Sequence, residues 1–448
     1  MSKTDEAAHR RSSISDAFEG RHAVRAWLVV AMLWVVGGLN FLDRVMITTM
    51  RESIKDAIPM TESQFGLLTA VFLAVYGALS PFAGFLADRF NRSRVICISL
   101  LAWSSITWLT AHVKTFEQLL ATRALMGVSE ACYIPAAVAL IVDYHRGATR
   151  SLATGLHLTG AVVGAGLGGL GGWLAERNDW TYAFKVFGLV GVGYACVLAL
   201  FLRDRPPDES SGAAAHVERK HVQFGEALAG LLGSGAFILA LFFWAMYGVA
   251  VWGVIGWMPT FLGEHFHMTQ GAAGLSSTGY LSVGALFGLP IGGAWADRWS
   301  RSNEQGRVLV PIIGLCVAAP SILLTSTASL LPLALAGLLV FGLARTFTDA
   351  NMMPILCLVS NPRHRATGYG VLNTFGCIAG AATIYAGGLL RDANVDVNRI
   401  FLVASAGLLA CAVLLFLVKL RIQAGGPARF PPAQSAGRHA SEPPAGAA

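Results

Sequence analysis

The 448 residues are 54% hydrophobic and only 13% charged, about half the charge of an ordinary soluble domain, which excludes a water-soluble enzyme and points to a polytopic membrane protein. The formal charge of +7 does not argue for a nucleic-acid partner, because the basic residues sit in short loops between apolar runs, where the positive-inside rule places them. Residues 1–25 are polar and mixed in charge, with no short apolar core before a small-residue cleavage site, so no cleavable signal peptide is expected.

At about 20 apolar residues per span, the chain is expected to be an all-α membrane protein with twelve transmembrane helices. The first six run over 27–50, 65–87, 95–111, 119–142, 152–174 and 184–202. The second six run over 235–262, 272–295, 308–326, 330–359, 368–390 and 400–420. This divides the chain into a cytoplasmic segment 1–26, a six-helix half 27–202, a polar linker 203–234 containing Pro and Ser, a second half 235–421 and a disordered Pro/Ala/Gly-rich tail 422–448. With both termini in the cytoplasm, the inner loops hold about twice the Lys and Arg of the outer ones, the bias expected for an even number of spans.

The first span carries Asn40, Asp43 and Arg44 in NFLDR, within apolar sequence. Ionisable groups at that depth are costly and usually face a cavity, a partner or an ion pathway. Neighbouring helical residues point about 100 degrees apart, so Asp43 and Arg44 can serve different partners. The fourth span supplies candidates: ATRALMGVSEACYIP (121–135) sets Arg123 and Glu130 seven positions apart, almost two turns and one face. The most economical arrangement has Asp43 facing Arg123 or Arg44 facing Glu130. In the fifth span Gly160, Gly164, Gly168 and Gly172 recur every four residues, a helix-contact stripe. The formal GxGxxG there lacks the preceding strand that a dinucleotide site requires.

The second half repeats the first. Pro81 and Asp88 are matched by Pro290 and Asp297, Glu130 and Pro135 by Asp349 and Pro354, and Arg150 and Gly155 by Arg365 and Gly370, each at equal separation. Two parallel, pseudo-symmetric six-span halves follow, with substrate near the midplane between them. Arg345 and Asp349, four apart, share a helix face.

Carboxylates suit proton coupling because burial raises an acid's pKa and a nearby arginine lowers it again. A conformational change that moves Asp43 or Glu130 relative to its arginine therefore changes proton affinity. Arg44 and Arg123 stay charged and serve as counter-charge or as bidentate holders of a carboxylate or phosphate. Further cavity candidates are Asn40, Tyr76, His157, Trp252, Trp257, Asn351, Asn373 and Tyr385. The cysteines show no metal-ligand spacing, His265 and His267 have no third ligand, and no nucleophile and base constellation suggests an enzyme.

GFLADRFNRSR (84–94) resembles the loop signature of the major facilitator superfamily, and GGAWADRWSR (292–301) its degenerate second copy, with Asn91 where the family usually has a second glycine. The resemblance implies a secondary transporter working by alternating access, with Gly84, Asp88, Arg89, Arg92, Arg94, Asp297 and Arg298 in its gating loops. NFLDR and RALMGVSEA (123–131) resemble both the spinster and the anion:cation symporter branches, and the run VSEACYIPAAVALIVDY tilts toward spinster. The expected function is thus proton-coupled transport of an organic anion or anionic amphiphile, with lysolipid or sphingoid cargo favoured. A proton symporter of small carboxylates such as sugar acids is the alternative, and a non-transporting receptor a distant one. The expected setting is the cytoplasmic membrane, with a monomer acting in the lipid bilayer, driven by the proton gradient without cofactor or metal.

Overall fold

The apolar runs fold as helices, and capping residues in the sequence mark several of their starts. Asn91, Thr115, Asp179, Ser234 and Thr269 each accept a hydrogen bond from a backbone N–H in the first turn of the helix that follows. The computed structural model describes residues 3–145, 149–204, 224–303, 305–361 and 364–424. In order the elements are α1 (Lys3–Met46), a 3-10 turn (Ile47–Met50), α2 (Arg51–Ala57), α3 (Glu62–Arg89), α4 (Arg92–Thr110), α5 (Phe116–Ala131), α6 (Tyr133–Tyr144), α7 (Arg150–Leu167), α8 (Leu170–Arg177) and α9 (Trp180–Phe201). They continue with α10 (Phe224–Leu232), α11 (Gly235–Phe266), α12 (Gln270–Ser300), α13 (Gly306–Thr327), α14 (Leu331–Val359), α15 (Arg365–Asp392) and α16 (Asn398–Ala424). Among the described residues, twelve stretches are long and apolar enough to cross a membrane, and each coincides with a predicted span. Most of the linker and the tail beyond 424 lie outside the described residues.

Two spans are broken where the sequence reading ran them straight. The fourth divides into α5 and α6 at Cys132, because Pro135 has no N–H for the Ala131 carbonyl. Its repeat partner Pro354 sits inside an unbroken α14. The fifth divides into α7 and α8 at Gly168 and Gly169. There the Thr49 hydroxyl accepts from the Gly172 N–H at 3.0 Å and lies 3.1 Å from the Gly168 carbonyl, so backbone groups freed by the break keep partners.

The glycine stripe is the contact between α1 and α7/α8. A Cβ on Gly160 would fall on the Trp34 carbonyl, one on Gly164 on the Gly38 carbonyl, one on Gly168 against Val45, and one on Gly172 on the Thr49 carbonyl. Backbone touches backbone at three of these four positions over about three turns, as small residues permit in lipid.

The first six spans meet the last six along two seams. The α3/α15 seam is closed from end to end: Gly66 lies on Ile384, Gly77 on Cys377, the Thr374 hydroxyl bonds the Gly77 carbonyl at 2.8 Å, and Gly370 faces Pro81. The second seam, α7 and α8 against α12, is closed at the end distal to the linker. Gly169 abuts Leu275 and the Thr278 hydroxyl donates to the Gly166 carbonyl at 2.8 Å, but Gly155, nearer the linker end, has nothing within 4 Å of an added Cβ. At the distal end Asp392 accepts from the N–H groups of Glu62 and Ser63 at 2.8 and 3.0 Å, capping α3 across the two groups. Gln270 is bonded to Ser53 through both its oxygen and its nitrogen, and Arg51 reaches Glu264 at 3.7 Å.

Gly164→Ala should destabilise the protein by about 1–3 kcal/mol through overpacking of α1 on α7, read as a fall in thermal midpoint in detergent. Gly155→Ala, with open space around it, should leave the midpoint unchanged, and equal effects would disprove the backbone contact.

Candidate functional site

Arg123 and Glu130 both lie on the buried face of α5 with no solvent exposure, as their spacing requires. On α1, Asn40 and Arg44 sit four apart on the face toward α5. Glu130 Oε2 accepts from Arg44 Nε at 2.8 Å and from Asn40 Nδ2 at 2.9 Å. Asp43 turns away toward α4, where the Thr107 hydroxyl donates to its Oδ2 at 3.3 Å. Of the two expected pairings, Arg44 with Glu130 is therefore made. Asp43 and Arg123 do not touch and act on each other only through space.

Arg123 is held differently from Arg44. Its Nη1 lies 3.2 Å from Met126 Sδ, its guanidinium sits 5.0 Å from the centre of the Phe72 ring, and Nε and Nη2 have no hydrogen-bond partner. Arg44 lies 4.1 Å from the Tyr76 ring centre and 5.4 Å from that of Phe72, contacts that hold a desolvated cation over an electron-rich face. Asp43 Oδ1 and Glu130 Oε1 are likewise buried without a donor. Tyr76 thus belongs with the charge cluster. Thr107 and Phe72 also belong to it and were missed from sequence, since a threonine and a phenylalanine in apolar helices carry no distinguishing signal.

In the last six spans Arg345 Nη1 pairs with Asp349 Oδ2 at 2.9 Å. The Tyr247 hydroxyl donates to Asp349 Oδ1 at 2.8 Å and lies 3.0 Å from the Arg345 carbonyl. Asp349 keeps 32% of its side chain accessible in a helix otherwise packed on three neighbours, so it borders a cavity. With the distal end closed, that cavity is reached from the linker end. Tyr369 of α15 lies close enough to both Asp349 and Tyr76 to interact electrostatically with each, bringing the two polar groups toward one another. Neither Tyr247 nor Tyr369 stood out in the sequence.

The remaining cavity candidates are not gathered there. Trp257 is fully packed and donates to the Ile384 carbonyl at 3.3 Å, and Trp252 packs on Gly380. Asn351 is buried and donates to the Phe347 carbonyl of its own helix at 2.9 Å. Asn373 donates to Ser80 across the closed seam at 3.0 Å, and Tyr385 is an exposed residue near the distal end. His157 is buried on α7, edge-on to Tyr133 with ring centres 5.9 Å apart and neither ring nitrogen bonded; it adjoins Gly37, one turn before Asn40.

In the loop between α3 and α4, Arg92 pairs with Asp143 of α6, and Asp204 accepts from the Arg92 and Ser93 N–H groups at 3.2 and 2.8 Å. Asn91 caps α4 by accepting from the Arg94 N–H at 3.0 Å, a bond the family's glycine cannot make. Arg89 and Arg94 are exposed. Gly84 and Asp88 belong to α3, but their surroundings lie outside the described residues. In the second copy Asp297 pairs with Arg307 at 3.2 Å, both well exposed, and Arg298 is exposed on the same end of α12.

The Major Facilitator Superfamily profile matches residues 33–384 and 252–444. Protein spinster homolog 1 of Xenopus laevis is 26% identical over 316 residues, 67% of this chain and 60% of its own length. Protein spinster of Drosophila melanogaster is 27% identical over 354 residues, 76% and 58% respectively. The chain thus spans about 60% of the length of the curated relatives it matches. Among solved structures, a bacterial homologue of the human lysosomal transporter spinster, inward-facing and unoccupied, superposes with a TM-score of 0.68 at 20% identity, covering 89% of this chain and 96% of that one. The nucleoside transporter NupG gives 0.67 at 14% identity.

Arg44→Ala should cost about 3–5 kcal/mol of stability, because Glu130 is left buried without its cation. The double variant Arg44→Ala/Glu130→Gln should recover much of that loss in the same thermal unfolding measurement, whereas additive losses would mean the two residues are uncoupled.

Proposed function

The chain belongs to the major facilitator superfamily, and on that premise we propose that it is a proton-coupled transporter of an anionic amphiphile, alternating access across the cytoplasmic membrane with both termini inside. The superfamily consists of transporters, which sets a membrane enzyme aside. The linker end, with its excess of arginine, is then the cytoplasmic side, and the conformation described is closed outside and open inside.

The observation that carries the reading is the uneven pairing of four buried charges. Arg44 neutralises Glu130, while Arg123 contacts no acid and Asp43 contacts no cation. An arginine in that setting is suited to a phosphate or carboxylate, which it can hold bidentately. An acid in that setting is suited to a proton. Rocking of the first six spans against the last six, if it draws Glu130 from Arg44 or Asp43 toward Arg123, changes both affinities together, which couples proton to cargo. Tyr76 and Tyr369 carry the link to the Arg345–Asp349 pair on the other side of the cavity.

The seams favour an amphiphile over a small acid. Gly155 on α7 has open space beside it at a level where Gly370 of α15 lies against Pro81 of α3, and a lateral opening there, between α7 and α12, would offer an acyl chain a route from the inner leaflet while the headgroup enters the polar interior. The spinster resemblance read from NFLDR and RALMGVSEA implies the same cargo class, and a lysophospholipid is the cargo proposed.

In proteoliposomes, an imposed pH gradient should accelerate lysophospholipid movement, and Glu130→Gln should remove that acceleration; because the change leaves Arg44 buried without its anion at a cost of about 3–5 kcal/mol, the comparison is made on variant protein whose thermal unfolding transition shows it folded. Unchanged gradient dependence in the variant would sink proton coupling. Gradient-driven uptake of sugar acids without lysophospholipid movement would overturn the cargo.

A further inference from the structure

On the outer face of the first six spans, away from the cavity, a groove of about 400 Å³ runs between α4 and the α5/α6 junction. Phe90, Ile98 and Val128 line it and are well exposed, so its walls are apolar surface turned to lipid. Asn91 and Arg94 close its linker end, and Ala102 marks its depth. From Asn91 to Ala102 is about 16 Å at 1.5 Å per residue, roughly half of the ~30 Å hydrocarbon core. The groove is one leaflet deep, with a guanidinium at headgroup level. Arg89 and Arg203 are exposed at the same end, while the nearby acids are engaged: Asp143 by Arg92, and Asp204 by the N-terminus of α4.

The floor of the groove is the break in the fourth span. Ser129 and Cys132 line it, and the Ser99 hydroxyl bonds the Ser129 carbonyl there. The next residue along, Glu130, faces the opposite way into the charge cluster. Whatever fills the groove therefore braces α5 against α4 directly behind Glu130.

We propose that the groove binds one anionic phospholipid of the linker-end leaflet, its acyl chain along α4 and its phosphate on Arg94, and that this lipid steadies the α5/α6 bend carrying Glu130. The apolar length selects a chain, and the unopposed arginine at its mouth selects a negative headgroup. The site is separate from the transport cavity and does not depend on which cargo is carried.

Native mass spectrometry of the full-length protein, stripped of lipid and then given phosphatidylglycerol or phosphatidylcholine, reads this without transport. The wild type should retain one phosphatidylglycerol about fivefold better, the preference one arginine provides near a membrane surface. Ala102→Phe, which fills the groove, should lose the retained lipid, and Arg94→Gln should keep a lipid but lose the headgroup preference. Equal retention of the two lipids by wild type, undiminished retention in Ala102→Phe, or displacement of the lipid by soluble glycerol phosphate would each overturn the site. In proteoliposomes, phosphatidylglycerol should raise the wild-type transport rate and not that of Ala102→Phe. A rate equally lipid-sensitive in both overturns the bracing role, and failure of transport altogether leaves the binding result standing.

Discussion

Four charged side chains inside an apolar bundle set the terms for everything around them. An isolated ion in that environment costs several kcal/mol even after relaxation, so Asn40, Asp43, Arg44, Arg123 and Glu130 are sited where neighbours share the load. The sharing is unequal. Glu130 has a cation and an amide, Arg44 adds three aromatic faces, and Asp43 and Arg123 have a hydroxyl and a thioether. A purely structural ion network would gain by joining the last two, and the geometry of α1 and α5 instead holds them apart.

The closure of the distal end is built from different material. It relies on Asp392 capping α3, on Gln270 and Ser53, and on charged pairs about Glu62 and Glu264, all polar and able to exchange with water. The α3/α15 seam is packed through small residues along its length, with Asn373 bonded to Ser80 and Thr374 to the Gly77 carbonyl across it. The end that must open in the alternating access proposed above is thus held by polar contacts that can be traded for solvent.

The twelve spans, the repeat and the Arg123/Glu130 face were legible because each is a matter of periodicity or spacing, which the helix converts directly into position. The glycine stripe was legible for the same reason. What was not legible is what depends on the partner helix. Nothing in the sequence chooses between Asp43 facing Arg123 and Arg44 facing Glu130, because all four are charged groups at plausible depth. Tyr247, Tyr369 and Thr107 acquire roles only through neighbours far away in the chain. The aromatic cavity candidates dispersed for a related reason: Trp257 spends its one donor on the Ile384 carbonyl and is packing. Pro135 and Pro354 hold the same place in the repeat, and only the first breaks its helix.

The contact of α1 on α7 through glycine has a mechanical side. Where main chain lies on main chain there are no side-chain torsions to take up slack, so a tilt of one helix is passed to the other without loss. α7 is also the helix that faces α12 along the second seam, and α1 carries Asn40, Asp43 and Arg44. A movement of α7 that widened a gap toward lipid would accordingly be carried into α1 and the charged side chains it holds.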